Sequence, residues 1–320
     1  MKMNVSEGAV WVVLADIHAN WPALQTVEAD AIEEAGKIGV TEDALRYISL
    51  GDVVDYGPQP VACLEWVQSK KGRIITILGN HDLEAARFPD AYPLEVGKNH
   101  WPLLVWTRCQ LTQKQKQKLA QWAPILTDVP GLPDFVLSHS DLGTGKHYWY
   151  PCTDPDNVTQ VCERFFAPLQ ANGKHYGLIG HSHQQLLYWF ADGHCTLWAD
   201  ERRLLQAWRE MPKGYILINP GSVGQPRLVH NGDCLDPRAQ YLLLDTRNGQ
   251  LRYKFRRVSY SLDDTLSCFK MVSLPNPLPN SCHFDPTGAL IKLPPRVLSS
   301  LYTNLDSQIE LLKGLLRNGF

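Results

Sequence analysis

The chain has 320 residues, 44% hydrophobic and 20% charged, the balance of an ordinary soluble globular protein and enough length for one large domain or two small ones. Lys and Arg number 31 against 33 Asp and Glu, a net charge of −2, so no basic field makes nucleic acid an obligate partner. Met1 to Gly8 has no apolar h-region, no apolar run approaches the ~18 residues of a membrane span, and the eight cysteines are scattered without a Cys-x-x-Cys; the expectation is a cytoplasmic protein with free thiols and no membrane contact.

Val10 to Ala15 is a continuous apolar run, as in a strand covered on both faces. A loop follows from Asp16 to Asn20, and then apolar residues at 21, 24, 27, 31 and 32 recur at helical spacing up to Ala35. Leu45 to Leu50 reads as a second strand, Pro60 opens a helix with Val61, Leu64 and Val67 as its stripe, and Ile74 to Leu78 reads as a third strand. This alternation predicts right-handed crossovers and a mainly parallel sheet. Residues 83 to 131 read as mostly helical and polar, with Thr112 as an N-cap and lysines 114, 116 and 118 on a solvated face. Phe135 to Leu137 and Tyr176 to Ile179 are predicted strands. Between them lie a Gly-rich aromatic insertion at 141 to 155 and a predicted helix from Asp156 to Leu169.

After His183 the pattern becomes a series of strands joined by turns: Leu186 to Phe190, His194 to Trp198, Tyr215 to Ile218, Tyr241 to Asp245 and Leu251 to Val258. This half is read as largely antiparallel. Leu262 to Val272 is a predicted helix, Leu274 to Pro286 a proline-rich connector. From Pro294 onward Leu298, Leu301, Leu305, Ile309, Leu312 and Leu316 share a helical face. That face packs on its own domain or, alternatively, makes a homo-oligomer or partner contact.

Chemistry gathers where apolar runs end. Asp16-Ile17-His18 ends the first, Gly51-Asp52-Val53-Val54-Asp55 the second and Gly79-Asn80-His81-Asp82 the third. Ser138-His139 and Gly180-His181-Ser182-His183 end two later ones. Taken singly, an Asp at a strand end is a turn former and a lone His a satisfied core or surface group. Together, at the carboxyl ends of strands where α/β folds place ligands, they form a donor set suited to divalent metals.

The order D-x-H, G-D-x-x-D, G-N-H-D, a lone His and G-H-x-H resembles the calcineurin-like metallophosphoesterases. Tyr56-Gly57-Pro58 and Asn219-Pro220-Gly221-Ser222-Val223-Gly224-Gln225-Pro226-Arg227 look like the branch holding small bacterial phosphodiesterases. The resemblance spans roughly residues 10 to 258. It implies an α/β fold, a four-layer αββα sandwich of two mixed β-sheets flanked by helices, with a dinuclear metal site at strand C-terminal ends. The domain would run from 1 to 258, with 259 to 320 a C-terminal helical extension packed on it. The implied first site is Asp16, His18 and His183, the second Asn80, His139 and His181, with Asp52 bridging two divalent ions of Mn, Fe or Zn type. With two carboxylates as the anionic ligands, such a centre keeps a net positive charge, which suits an anionic phosphate.

The resemblance further makes His81 the general acid in an in-line attack by metal-bound hydroxide on a phosphate ester, a diester or nucleotide being favoured. Protein phosphatase-like activity, dinucleoside polyphosphate hydrolysis and a catalytically silent binding scaffold are the alternatives. Asp55 matches the protein-phosphatase branch, where this carboxylate holds the catalytic His, but Tyr56 stands where arginine usually follows. Asp82 orients a neighbour or, by preference, caps the helix from Leu83 to Arg87. Expected substrate contacts are Arg227, which otherwise forms a structural salt bridge, Asn20, and Tyr148 of the aromatic run 147 to 150, which stacks a flat group or anchors its loop. Two features depart from the family: Ser140 follows His139 where glycine is common, and 199 to 214 look inserted. Gly143-Thr144-Gly145-Lys146 lacks the full phosphate-loop pattern.

Overall fold

β1 (Val10–Leu14) is buried at every position. Its side chains part by alternation: Val10, Val12 and Leu14 join one core, while Trp11 and Val13 join another. A strand can divide its residues in this way only if both faces of its sheet are covered. The computed structural model describes residues 8–87, 101–145, 161–192, 194–198, 207–226 and 238–271.

β1 lies inside a six-stranded sheet of order β3-β2-β1-β11-β12-β9. β2 (Arg46–Ser49) and β3 (Ile74–Thr76) run parallel to it. β11 (Ala239–Asp245), β12 (Arg252–Val258) and β9 (Arg209–Glu210) continue the other side antiparallel. The second six-stranded sheet has the order β4-β5-β6-β10-β7-β8. Here β5 (Phe135–Ser138), β6 (Tyr176–Leu178) and β10 (Tyr215–Pro220) are parallel neighbours. β4 (Ile125–Leu126), β7 (Gln185–Ala191) and β8 (His194–Trp198) pair antiparallel. Both sheets are therefore mixed. The carboxyl ends of three parallel strands in each sheet point to one end of the molecule.

Three apolar layers hold four structural ones. α1 (Trp21–Gly36) and α2 (Pro60–Ser69) lay Leu24, Val27, Cys63 and Leu64 on the outer face of the first sheet. Trp11, Ile48, Leu137, Ile216, Leu242 and Phe255 fill the space between the sheets. Phe165, Phe166 and Leu169, from the helical stretch 161–171, cover Val136, Leu186 and Leu217 on the far face. This is the expected four-layer sandwich. Thr112 caps the helix Gln113–Leu119 through a reciprocal capping box with Gln115. A helix Leu262–Met271 sets Thr265 Oγ1 3.2 Å from Asn20 Oδ1 at the start of α1. The apolar stripe expected from Pro294 onward lies outside the described residues.

The stretch read as an insertion at 199 to 214 contributes β9, an edge strand paired with Arg252 and Tyr253. One expectation changes. Cys63, Cys162, Cys195 and Cys268 are free, but Cys109 is disulfide-bonded rather than a free thiol. Scattered spacing gives no sign of such a bond, because a disulfide joins cysteines close in space, not in sequence.

Asp245 ends β11, an interior strand of the first sheet. It is 1% exposed and accepts from Arg247 Nε at 2.9 Å and Arg252 Nη2 at 2.6 Å. Burial works against its charge, yet these hydrogen bonds hold the carboxyl below its ordinary value. A depressed carboxyl contributes stability above its unfolded pKa of ~4, lost as pH falls through the lower folded value. Asp245→Asn is expected to cost about 2 kcal/mol at pH 7 and less at pH 3, read from urea midpoints at the two pH values.

Candidate active site

The loops after β1 and β2 are zipped together by main-chain hydrogen bonds: Asp16 N to Gly51 O at 3.1 Å, His18 N to Asp52 O at 2.9 Å and Ala19 N to Val53 O at 3.0 Å. This zipper forces unusual backbone. Eight of the ten non-glycine residues with positive φ among the described residues lie on the loops of the site: Asp16, His18, Ala19, Asp52, Asp55, Tyr56, His181 and His183. Such conformations cost of order 1–3 kcal/mol each and persist only where surroundings over-determine them. Gly51 must be glycine for a related reason. Its φ is +89°, and a Cβ there would lie 2.6 Å from Gly79 N and 2.9 Å from His139 Nδ1.

Two clusters of donors result, Asp16 with His18 and His183, and Asp52 with His139 and His181, the ligand atoms of each within 4.8 Å of one another. Asp52 joins them. Its Oδ1 accepts from His81 N at 2.9 Å, which turns Oδ2 toward His139 Nε2 at 3.0 Å and His18 Nε2 at 3.8 Å. Asp16 is set in the same manner by His181 N, 3.1 Å from Oδ2. Asn80 Oδ1 lies 3.2 Å from both His139 Nε2 and His181 Nδ1.

The donor set fits divalent metal. His139 Nδ1 is 2.7 Å from Leu50 O and His183 Nδ1 is 2.6 Å from Gln225 O. A carbonyl only accepts, so each Nδ1 carries the proton, and Nε2 of the neutral ring is a lone pair. The lone pair of His139 then faces the Asp52 carboxylate, and that of His183 faces His18 Nε2 at 3.0 Å. For His139, acceptor against acceptor in a buried site needs positive charge between them, whereas His18 in its Nε2–H tautomer simply donates to His183. Without metal a proton answers that need: burial opposes the charge on His139, but Asp52 outweighs it and lifts the imidazole to about 9.

His81 is one residue along from Asn80, in α3 (Asn80–Arg87). Its Nδ1 lies 2.7 Å from Asp55 Oδ2, with the carboxylate fully buried. Burial disfavours the imidazolium, yet Asp52 and the hydrogen bond to Asp55 prevail and raise it to about 9. Asp82, expected by preference to cap a helix, sits inside the first turn because α3 starts at Asn80. Its carboxylate accepts from Val53 N at 2.9 Å, Val54 N at 3.2 Å and Gly79 N at 3.2 Å, so it ties the Asp52 loop to the Asn80 turn.

The loop after β10 closes the back of the site. Ser222 Oγ donates to Asp16 O at 2.7 Å, Val223 N to Ala15 O at 3.1 Å, and Asn219 Nδ2 to Gly180 O at 2.6 Å. These contacts stitch the second sheet to the first and hold the His181 loop. Sequence reasoning marked this stretch by resemblance but assigned Asn219, Ser222 and the carbonyls of Leu50 and Gln225 no part. Asn20, 4% exposed, caps α1 through Ala23 N at 3.2 Å and donates to Gly224 O at 3.0 Å and Tyr260 Oη at 3.2 Å. Arg227 and Tyr148 lie outside the described residues. No helix among the described residues is long and apolar enough to cross a membrane.

Known proteins are similar to this chain in sequence and fold. The family described as calcineurin-like phosphoesterase matches residues 11–204, which include every candidate ligand from Asp16 to His183. An uncharacterized protein of Methanocaldococcus jannaschii is 25% identical over 264 residues, 78% of this chain and 87% of its own. The crystal structure of a metallophosphoesterase from Sphaerobacter thermophilus is 26% identical, with a TM-score of 0.62 over 82% of this chain and 93% of that one. A hypothetical protein from Pyrococcus horikoshii OT3, 20% identical, shares the fold with a TM-score of 0.61 over 88% of this chain and 100% of its own. With the match spanning more than half of the sequence and the whole donor set, the chain belongs to the calcineurin-like phosphoesterase family.

Proposed function

We propose that the protein is a dinuclear metal-dependent phosphoesterase that cleaves a phosphodiester or nucleotide-type ester by in-line displacement, with His81 as the acid for the leaving oxygen. The observation that carries this reading is the placing of Asp52 Oδ2 between two donor clusters with the Asp55–His81 pair alongside. Two divalent cations of Mn, Fe or Zn type, when bound there, would polarise a phosphoryl oxygen and acidify water. Asp16, His18 and His183 would hold one, Asn80, His139 and His181 the other. Asp55 fixes the ring of His81 so that Nε2 is left to release a proton. The half-buried side chains bordering the site, Tyr56, Asn80, His181 and Gln225, carry no fixed positive charge. The preference for a diester or nucleotide over a protein phosphate rests on the likeness of Tyr56-Gly57-Pro58 and Asn219 to Arg227 to the phosphodiesterase branch and on the aromatic run 147 to 150.

The test is elemental analysis of purified protein, followed by turnover of aryl diesters, dinucleotides and phosphoserine peptides after Mn loading. About two ions per chain and diester or dinucleotide turnover above peptide turnover are expected. Activity without bound transition metal and unaffected by chelation overturns the dinuclear reading, and faster peptide turnover reverses the substrate ranking.

A further inference from the structure

Asp55 and Tyr56 are consecutive left-handed residues, at φ 71° and 60°. The turn lets neighbouring side chains reach the same imidazole: Asp55 takes the Nδ1 edge of His81, and the Tyr56 ring lies against it with centroids 4.4 Å apart. Tyr56 also meets the ring of His18, centroid to centroid 4.7 Å at 60°. It is pinned from behind, because a Cβ at Gly57 would strike the His18 carbonyl. His18 and His81 are 1% and 7% exposed, whereas Tyr56 is half-buried. The ring thus lies against two buried imidazoles and is itself more exposed than either.

That placement divides the site. Asn80 and His181 border the Asp52–His139 side with polar atoms. On the His81 side the half-buried group among the described residues is the aromatic ring of Tyr56. An oxygen protonated by His81 must come within ~3 Å of Nε2, so the group it carries falls within van der Waals reach of the Tyr56 ring. We infer that Tyr56 is a specificity-determining residue: its ring is the wall that receives the leaving group and selects esters whose leaving alcohol carries a flat unsaturated ring beside the ester oxygen, as a benzyl ester does. This rests on the reading of His81 as the acid and names the leaving-group class that such a site takes. Offset or edge-on ring contacts add stabilisation beyond area burial, which a saturated ring of equal bulk does not gain.

The test compares dibenzyl phosphate with bis(cyclohexylmethyl) phosphate, whose leaving alcohols are close in acidity and bulk but differ in flatness. Mn-loaded full-length protein is expected to favour the benzyl ester by about 5-fold in kcat/KM. Tyr56→Phe keeps that ratio and Tyr56→Leu brings it near 1. Calorimetric binding of benzylphosphonate and cyclohexylmethylphosphonate reads the same preference without turnover. A ratio unchanged in Tyr56→Leu overturns the wall. So does an equal slowing of both esters with metal content intact, since the ring would then only position His81. If neither diester is cleaved yet Tyr56→Leu abolishes the binding preference, the wall stands and the phosphoesterase reading fails. Cleavage of both without preference sinks the wall alone.

Discussion

Replacing Asp52 with asparagine is expected to lower turnover by about 10³-fold and to release most of the bound metal, the loss of a bridging anion being worth several kcal/mol. The reason lies in how the carboxylate is shared. Oδ1 accepts from His81 N, and Oδ2 faces His139 and His18. An asparagine must turn its amide nitrogen either toward the His81 N–H, donor against donor, or toward the imidazoles, where it offers hydrogen-bond donors in place of a negative ligand. Either way the two clusters no longer share an anion. Elemental analysis and kcat on one preparation, with the thermal midpoint as a folding check, decide it. A folded Asp52→Asn protein with about two ions per chain and unchanged turnover would falsify the shared-ligand reading.

Asp55→Asn should separate acid catalysis from metal binding. Metal content is expected to stay intact, while turnover falls about 10²-fold for alkyl leaving groups and far less for nitrophenolate, which departs without a proton. An asparagine can still accept at Oδ1 from His81 Nδ1, so the ring keeps its aim. What disappears is the buried negative charge that, together with Asp52, holds the imidazole protonated against the effect of burial. If good and poor leaving groups slow by the same factor, Asp55 serves the fold of its loop rather than the acid.

The parts of this site written in side-chain chemistry were legible in sequence. Asp16, His18, Asp52, Asn80, His139, His181 and His183 are unusual residues at the ends of apolar runs, and the strands that carry them alternate with helices at readable spacing. Part of the surrounding support was not legible, because it is main chain. The carbonyls of Leu50 and Gln225 fix two imidazole tautomers, and no residue type announces a carbonyl. Asp82 read as a cap because cap and cross-loop tie use the same carboxylate, and only the start of α3 at Asn80 separates them. β4 and β9 hold two residues each, too short for a period of two to be seen. The antiparallel pairing of β11 against β1 joins residues more than two hundred positions apart, which no local pattern encodes.

The left-handed loops carry a consequence for stability. Glycine would hold φ near +60° without strain at His18, Asp52, His181 or His183, but it would also give up the hydrogen bonds those side chains make, such as Asp52 Oδ1 from His81 N and His183 Nδ1 to Gln225 O. Backbone strain is thus stored beside the Asp55–His81 pair. The gain in thermal midpoint of His183→Gly over His183→Ala measures it, since both variants lose the imidazole and only the glycine relieves the left-handed backbone.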